Sequence, residues 1–253
     1  MLFRSLCFEY GFITLPGQIP VIPSVIAHRG DSANAPDNSH MAFCLAIRSG
    51  ADCLEADIQN TADGIPVAAH DNRLRQPVLS KDGIAHNYIS EVSSRQLPSL
   101  CSLEQLLILN QNSIDLNLDL KAADAVEETI RLLQKYGACK HSMITSASPN
   151  TLQQIKLTEP RIATVLLLSS FSDFEKYAKY QNKSYVDGFS VKSCHITASL
   201  VSAIHRRGKF ILAWTVNSEA ELCRMQQLSV DGIITDDPSR ALSVLTRHSK
   251  TSS

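Results

Sequence analysis

The sequence has almost no excess charge of either sign. Its 24 basic and 25 acidic residues leave a formal net charge of -1. That balance gives no field to draw nucleic acid or an anionic membrane. Aromatics are scarce at 6%, too few for a base-stacking surface. No apolar run approaches the roughly 18 residues of a membrane span, so stable membrane insertion is not expected. The first twenty residues carry no clean apolar core or small-residue cleavage site after Arg4, and Glu9 interrupts them. The seven cysteines form no C-x-x-C pair and no metal-finger spacing. Most lie in apolar runs, as Cys44, Cys53 and Cys223 do, which reads as buried free thiols in a reducing compartment. Together these point to a cytoplasmic protein.

What is present is an α/β pattern. Residues 1–23 read as a leader, 24–247 as one domain and 248–253 as a short tail. A strand at Val25–His28 is followed by a helix from His40 to Ser49, capped by Ser39 and stopped by Gly50. From Val25 to Arg247 the chain then alternates strand and helix, giving eight strands once a hairpin arm is left out. Eight such units read as a closed (β/α)8 TIM barrel. Residues 72–112 interrupt the alternation as an insertion after the second-strand hairpin, less regular apart from a helix near Ser102–Leu109.

The densest chemistry lies between Asp52 and Asp71. Glu55 and Asp57 are two apart in an apolar run, so a strand puts both carboxylates on one face. Two buried carboxylates repel each other and need a cation nearby. Asp63-Gly64 marks a hairpin turn. A fold about Ala62 sets His70 opposite Glu55. Further on, Asp115, Asn117, Asp119 and Lys121 alternate with Leu116, Leu118 and Leu120. In a barrel the polar set can face the interior while the leucines pack under helices. Polar residues collect where the strands end, the side of such barrels that carries active sites. They include His28, Arg29, Ser146, Lys192, Trp214, Thr215, Asn217, Thr235 and Asp236.

The segments HRGDSANAPDNS, EADIQNTADGIPVAAHD, AWTVN and DGIITDDP resemble those of the glycerophosphodiester phosphodiesterase family. The likeness runs from about Val25 to about Leu242. It implies metal-dependent hydrolysis of glycerophosphodiesters to sn-glycerol 3-phosphate and an alcohol, through a cyclic phosphate. It also implies roles for particular residues. Glu55, Asp57 and Asp119 are implied as ligands of a magnesium or calcium ion. His28 and His70 are implied as the acid-base pair, and Arg29, Lys121 and Trp214 as substrate-binding. A small phosphodiester is then the partner, with no nucleic acid.

Two departures stand out. Asp119 replaces the family's usual glutamate and is one methylene shorter. The ion then sits closer to the third strand, a water fills the gap, or affinity falls. Asp37 likewise replaces a glutamate and reaches less far. Two other readings follow from the same residues: a lysophospholipase D-like enzyme acting on a lipid diester, and a non-catalytic phosphoester-binding barrel.

Overall fold

In chain order the elements of the computed structural model are β1 (Ser24–Ala27), α1 (His40–Ser49), β2 (Cys53–Asn60), β3 (Pro66–Ala68), β4 (Arg73–Leu79), β5 (Ala85–Tyr88) and α2 (Leu103–Asn110). Then come β6 (Asp115–Leu120), α3 (Val126–Lys135), β7 (Ser142–Ser146), α4 (Pro149–Thr158), β8 (Ala163–Leu168) and α5 (Asp173–Tyr180). The chain closes with β9 (Gly188–Lys192), α6 (Ala198–His205), β10 (Phe210–Trp214), α7 (Glu219–Gln227), β11 (Gly232–Thr235) and α8 (Pro238–Thr251). The structure describes residues 22–80, 82–170 and 173–251. The leader lies outside the described residues except for its last two, of which Ile22 packs on the core. The last helix continues past Arg247 into the expected tail.

Eight parallel strands close into the expected barrel, in the order β1-β11-β10-β9-β8-β7-β6-β2, with β1 also paired to β2. The alternation read from the sequence sorts the side chains. Leu54, Ala56, Ile58, Leu116, Leu118 and Leu120 point outward into the layer under the helices. Cys53, Glu55, Asp57, Asn117 and Asp119 are buried on the inner face. An apolar plug of Ile26, Cys53, Met143, Val165, Leu212 and Ile234 fills the barrel interior. The polar residues are stacked on it toward the strand C-termini. At the opposite rim one device recurs. Asp52, Asp187 and Asp231 each accept the backbone N–H of a neighbouring strand, at Val25, Thr164 and Ile211, over 2.7–2.8 Å.

The hairpin differs from expectation by one residue. Its register pairs Ile58 with Ala68, Gln59 with Val67 and Asn60 with Pro66. The turn therefore centres on Asp63, not Ala62, and His70 is not opposite Glu55. The cause is a three-residue loop closed by left-handed Gly64 (φ +75°), where Asp-Gly alone suggests a two-residue loop. Thr61 Oγ1 donates to Ile65 O and accepts from Ile65 N. The insertion repeats this loop between Ser80 and Ile84, again with a left-handed glycine, Gly83. There it joins β4 and β5 into an antiparallel ribbon. Pro77 inside β4 hides that ribbon from a sequence reading, because proline removes a ladder donor.

Candidate active site

The eight residues singled out above line one cavity of about 210 Å³ at the C-terminal ends of the strands: His28, Arg29, Glu55, Asp57, His70, Asp119, Lys121 and Trp214. Asn117, Thr145 and Ser190 add neutral polar groups to its wall. Ser146 and Lys192 are not among its lining residues. Ser146 instead donates to Leu120 O, and Lys192 is exposed.

The turn after β1 is built around backbone reach. Arg29 adopts a left-handed conformation (φ 56°), and its N–H donates to Glu55 Oε2 at 2.7 Å. Gly30 follows at φ +84°, and a Cβ there would meet the Ala42 carbonyl carbon of α1 at 2.5 Å. Only glycine allows both the conformation and the approach. The loop closes at Asn38. Its side chain donates to Asp57 Oδ2 at 3.0 Å and accepts from Asp57 N at 3.1 Å. Sequence reasoning did not single out Asn38, because neutral amides carry no charge pattern to notice. Asp37, despite its shorter side chain, accepts from Arg29 Nη1 at 3.1 Å.

One carboxylate oxygen from each of Glu55, Asp57 and Asp119 can be chosen so that all three lie within 4.8 Å of one another. Two cations answer them. Lys121 Nζ lies 3.0 Å from Asp57 Oδ1 and 2.5 Å from Asp119 Oδ2. Arg29 Nε lies 2.9 Å from Asp57 Oδ2. The acids respond differently. Burial pushes Asp57 up, but Lys121 and Arg29 outweigh it and hold the carboxyl below its ordinary range. Burial together with the charges of Asp57 and Asp119 pushes Glu55 well up. Burial also raises Asp119, against the pull of Lys121. Thus two cations serve three buried acids, and Glu55 carries the deficit.

That deficit is what a divalent cation would relieve. The donors are hard carboxylate oxygens, which suit magnesium or calcium. Ligands about 2.0–2.6 Å from one ion lie at most roughly 5 Å apart, which matches the observed spread. The residues present therefore fit such an ion. Asp119 converges with the other two despite its missing methylene.

The histidines are held unequally. His28 Nδ1 lies 2.6 Å from Asp236 Oδ1. Asp236 also accepts from Ser32 Oγ at 3.1 Å and Asn217 Nδ2 at 2.6 Å, and Asn217 Oδ1 accepts from Asp236 N and Thr235 Oγ1. The bond to His28, outweighing burial, holds Asp236 below the ordinary carboxylate range. A carboxylate on Nδ1 puts the proton there and leaves Nε2 as the free nitrogen. The sequence reading noted Asp236 only as a strand-end residue and assigned it no role. His70 Nδ1 lies 2.9 Å from Asp71 Oδ1, with both side chains exposed. The backbone beside His70 is pinned by Gln59 Nε2 donating to His70 O at 3.0 Å and Ala69 N donating to Asp57 O.

Comparison with known proteins agrees with this geometry. The sequence profile of the Glycerophosphoryl diester phosphodiesterase family matches residues 28–112 and 101–240. The chain is 28% identical over 240 residues to a glycerophosphodiester phosphodiesterase of Bacillus altitudinis, spanning 87% of this chain and 97% of that one. It is 26% identical over 239 residues to a glycerophosphodiester phosphodiesterase of Caldanaerobacter subterraneus, spanning 87% and 97%. Among solved structures it is similar in fold to a phosphodiesterase of Oleispira antarctica in complex with the product sn-glycerol-3-phosphate. That match has a TM-score of 0.75 and 23% identity, covering 88% of this chain and 97% of the other.

Proposed function

From the premise that this chain belongs to the glycerophosphoryl diester phosphodiesterase family, we propose that it hydrolyses glycerophosphodiesters to sn-glycerol 3-phosphate and an alcohol. One observation carries the reading. Three buried carboxylates, two cations and two histidines share a single cavity at the catalytic end of the barrel.

Each group has work to do. A phosphodiester resists attack because its own negative charge repels nucleophiles. Arg29 presents a fork that fits phosphate oxygens, and Lys121 adds a point charge. Glu55, Asp57 and Asp119 would hold a divalent cation, magnesium or calcium, which would supply charge neutralisation to the phosphoryl group.

The proton transfers fall to His28 and His70. One histidine takes the proton of the glycerol 2-hydroxyl as its oxygen bonds to phosphorus. The other protonates the departing alkoxide as the phosphorus–oxygen bond to the alcohol breaks. In the second half the roles reverse. A water, deprotonated by the second histidine, bonds to phosphorus, and the bond from phosphorus to the 2-oxygen breaks with that oxygen protonated by the first. Asp236 holds His28 with Nε2 free for this exchange. The indole of Trp214 lines the cavity, and its Nε1 is buried without an acceptor among the described residues, which suits a substrate oxygen.

Phosphorus NMR tests the reading. Purified protein given glycerophosphocholine and magnesium or calcium should convert the diester resonance to that of sn-glycerol 3-phosphate. An unchanged diester resonance with both ions contradicts hydrolysis and favours a phosphoester-binding barrel.

A further inference from the structure

The active-site cavity is graded from mouth to floor. Along β6 and the residue after it, the cavity-lining side chains climb toward the mouth as amide, carboxylate and ammonium: Asn117, Asp119 and Lys121. The floor is neutral. Asn117 is in register with Met143, and Ser190 with Leu212, and both partners belong to the apolar plug. Asn117 and Ser190 thus rest beside the plug, on strands β6 and β9, which β7 and β8 separate. Each is 1% exposed. The side chains of Arg29 and Lys121 are 22% and 24% exposed, and that of His70 is 44% exposed.

The floor amide is held in one orientation. Thr145, the register partner of Asp119 on β7, reaches back along β6, and its Oγ1 donates to Asn117 Oδ1 at 2.7 Å. The amide oxygen therefore faces β7, and Nδ2 is left as the group without a partner. Neither Asn117 Nδ2 nor Ser190 Oγ makes a hydrogen bond among the described residues, and both side chains line the cavity. Donors so deeply buried cost stability until something in the cavity meets them.

We propose that Asn117 is a specificity-determining contact for the terminal hydroxyl of the substrate's glycerol, with Thr145 as the residue that positions its amide. This rests on the hydrolytic reading above. Arg29 and Lys121 hold the phosphate above the floor, so one of its two substituents descends. The floor offers neutral hydrogen-bonding groups and ends at the plug. A terminal hydroxyl both donates and accepts, and it matches Asn117 and Ser190. A quaternary ammonium head group does neither and leaves the buried donors unpaired. Glycerol therefore points to the floor and the departing alcohol to the mouth. An acyl chain on the terminal hydroxyl removes the proton that the floor reads and finds no channel through the plug. The cavity thus selects a glycerol with a free terminal hydroxyl and disfavours a lysophospholipid, while the alcohol at the mouth is free to vary.

Calorimetry tests this without turnover, so its failure is distinguishable from failure of the proposed hydrolysis. Two ligands are compared in the presence of calcium: sn-glycerol 3-phosphate, and 2-hydroxypropyl phosphate of the same configuration, which lacks only the terminal hydroxyl. Wild-type protein should bind the first about 10-fold to 100-fold more tightly. Asn117→Ala should weaken the first by a similar factor and leave the second unchanged. Thr145→Val keeps the Asn117 side chain and should lose most of the preference, and Thr145→Ser should restore it. The proposal is overturned if wild type binds both ligands equally or neither, a comparison that needs no variant. It is also overturned if Asn117→Ala weakens both ligands to the same extent, which a merely structural residue would do. In turnover, a soluble 1-hexanoyl lysophosphatidylcholine should react at least about 100-fold more slowly than glycerophosphocholine. Comparable rates for the two would contradict a glycerol end closed by the plug.

Discussion

His28 and Asp236 lie 208 residues apart in sequence and meet through a 2.6 Å contact between Nδ1 and Oδ1. The contact joins the turn after the first strand to the turn after the last, across the seam where β1 and β11 close the barrel. Asp236 accepts from Ser32 and Asn217 as well, so its position is fixed from three directions. A carboxylate so placed fixes both the ring orientation and the tautomer of His28.

Asp236→Asn keeps the shape and removes the charge. It is expected to lower kcat about 100-fold with KM changed far less, and to move the basic or acidic limb of the pH-rate profile. Steady-state kinetics across pH checks this. Unchanged kcat and an unmoved profile would reduce Asp236 to a structural residue.

His28→Ala and His70→Ala are each expected to lower kcat by about 100-fold to 10,000-fold. The circular dichroism spectrum should not change, since neither side chain belongs to the apolar core. Full activity in either variant would remove that histidine from the acid-base pair.

Glu55 illustrates a conflict between stability and function. Burial and the neighbouring Asp57 and Asp119 push its carboxyl well up, so its charged form strains the metal-free protein. Glu55→Gln keeps an oxygen acceptor for Arg29 N and removes the charge. In chelator it is expected to raise Tm by roughly 2–4 °C, the shift that about 1 kcal/mol produces in a chain of this size. Metal binding by calorimetry should weaken at the same time. A lower Tm in chelator would contradict the account of three acids served by two cations.

Asp119→Glu restores the missing methylene. It is expected to bind calcium more tightly in calorimetry, because the longer side chain gives the carboxylate more freedom to meet the ion. Unaltered affinity would place Asp119 outside the ligand set.

Away from the site, Glu159 contributes to acid stability. It accepts from Arg161 Nε at 2.7 Å and Nη2 at 2.6 Å, and Gln134 Nε2 adds a third bond at 3.1 Å. Chiefly the Arg161 bonds hold its carboxyl down at about 2, against an ordinary 4.5. A depressed folded-state value means the contribution is fully present above 4.5 and is lost as pH falls through about 2. Glu159→Gln should therefore destabilise the protein at neutral pH, with the difference from wild type vanishing toward pH 2. Urea unfolding across that range measures it. A difference that does not shrink with falling pH would assign the effect to packing.

Much of this site is legible in the sequence, for physical reasons. The two-residue spacing of Glu55 and Asp57 fixes a shared strand face. The alternation through Asp115–Lys121 becomes an inward polar column once the strand closes into a barrel. Ser39 and Gly50 bound α1 as capping chemistry requires. What escapes is what has no local signature. Asp236 finds His28 only after the barrel closes. Asn38 acts through a neutral amide whose partner is 19 residues on. The hairpin register turns on whether Gly64 closes a two-residue or a three-residue loop. The β4–β5 ribbon escapes as well, because Pro77 stands inside β4 and removes a ladder donor.

Metal-dependent turnover is the most direct test of the central claim. Release of sn-glycerol 3-phosphate from glycerophosphocholine is measured on one preparation as isolated, after chelation, and after magnesium or calcium is restored. The account requires release that stops on chelation and returns with the ion. Release that continues undiminished after chelation would contradict it, since Glu55, Asp57 and Asp119 would then have no ion to hold.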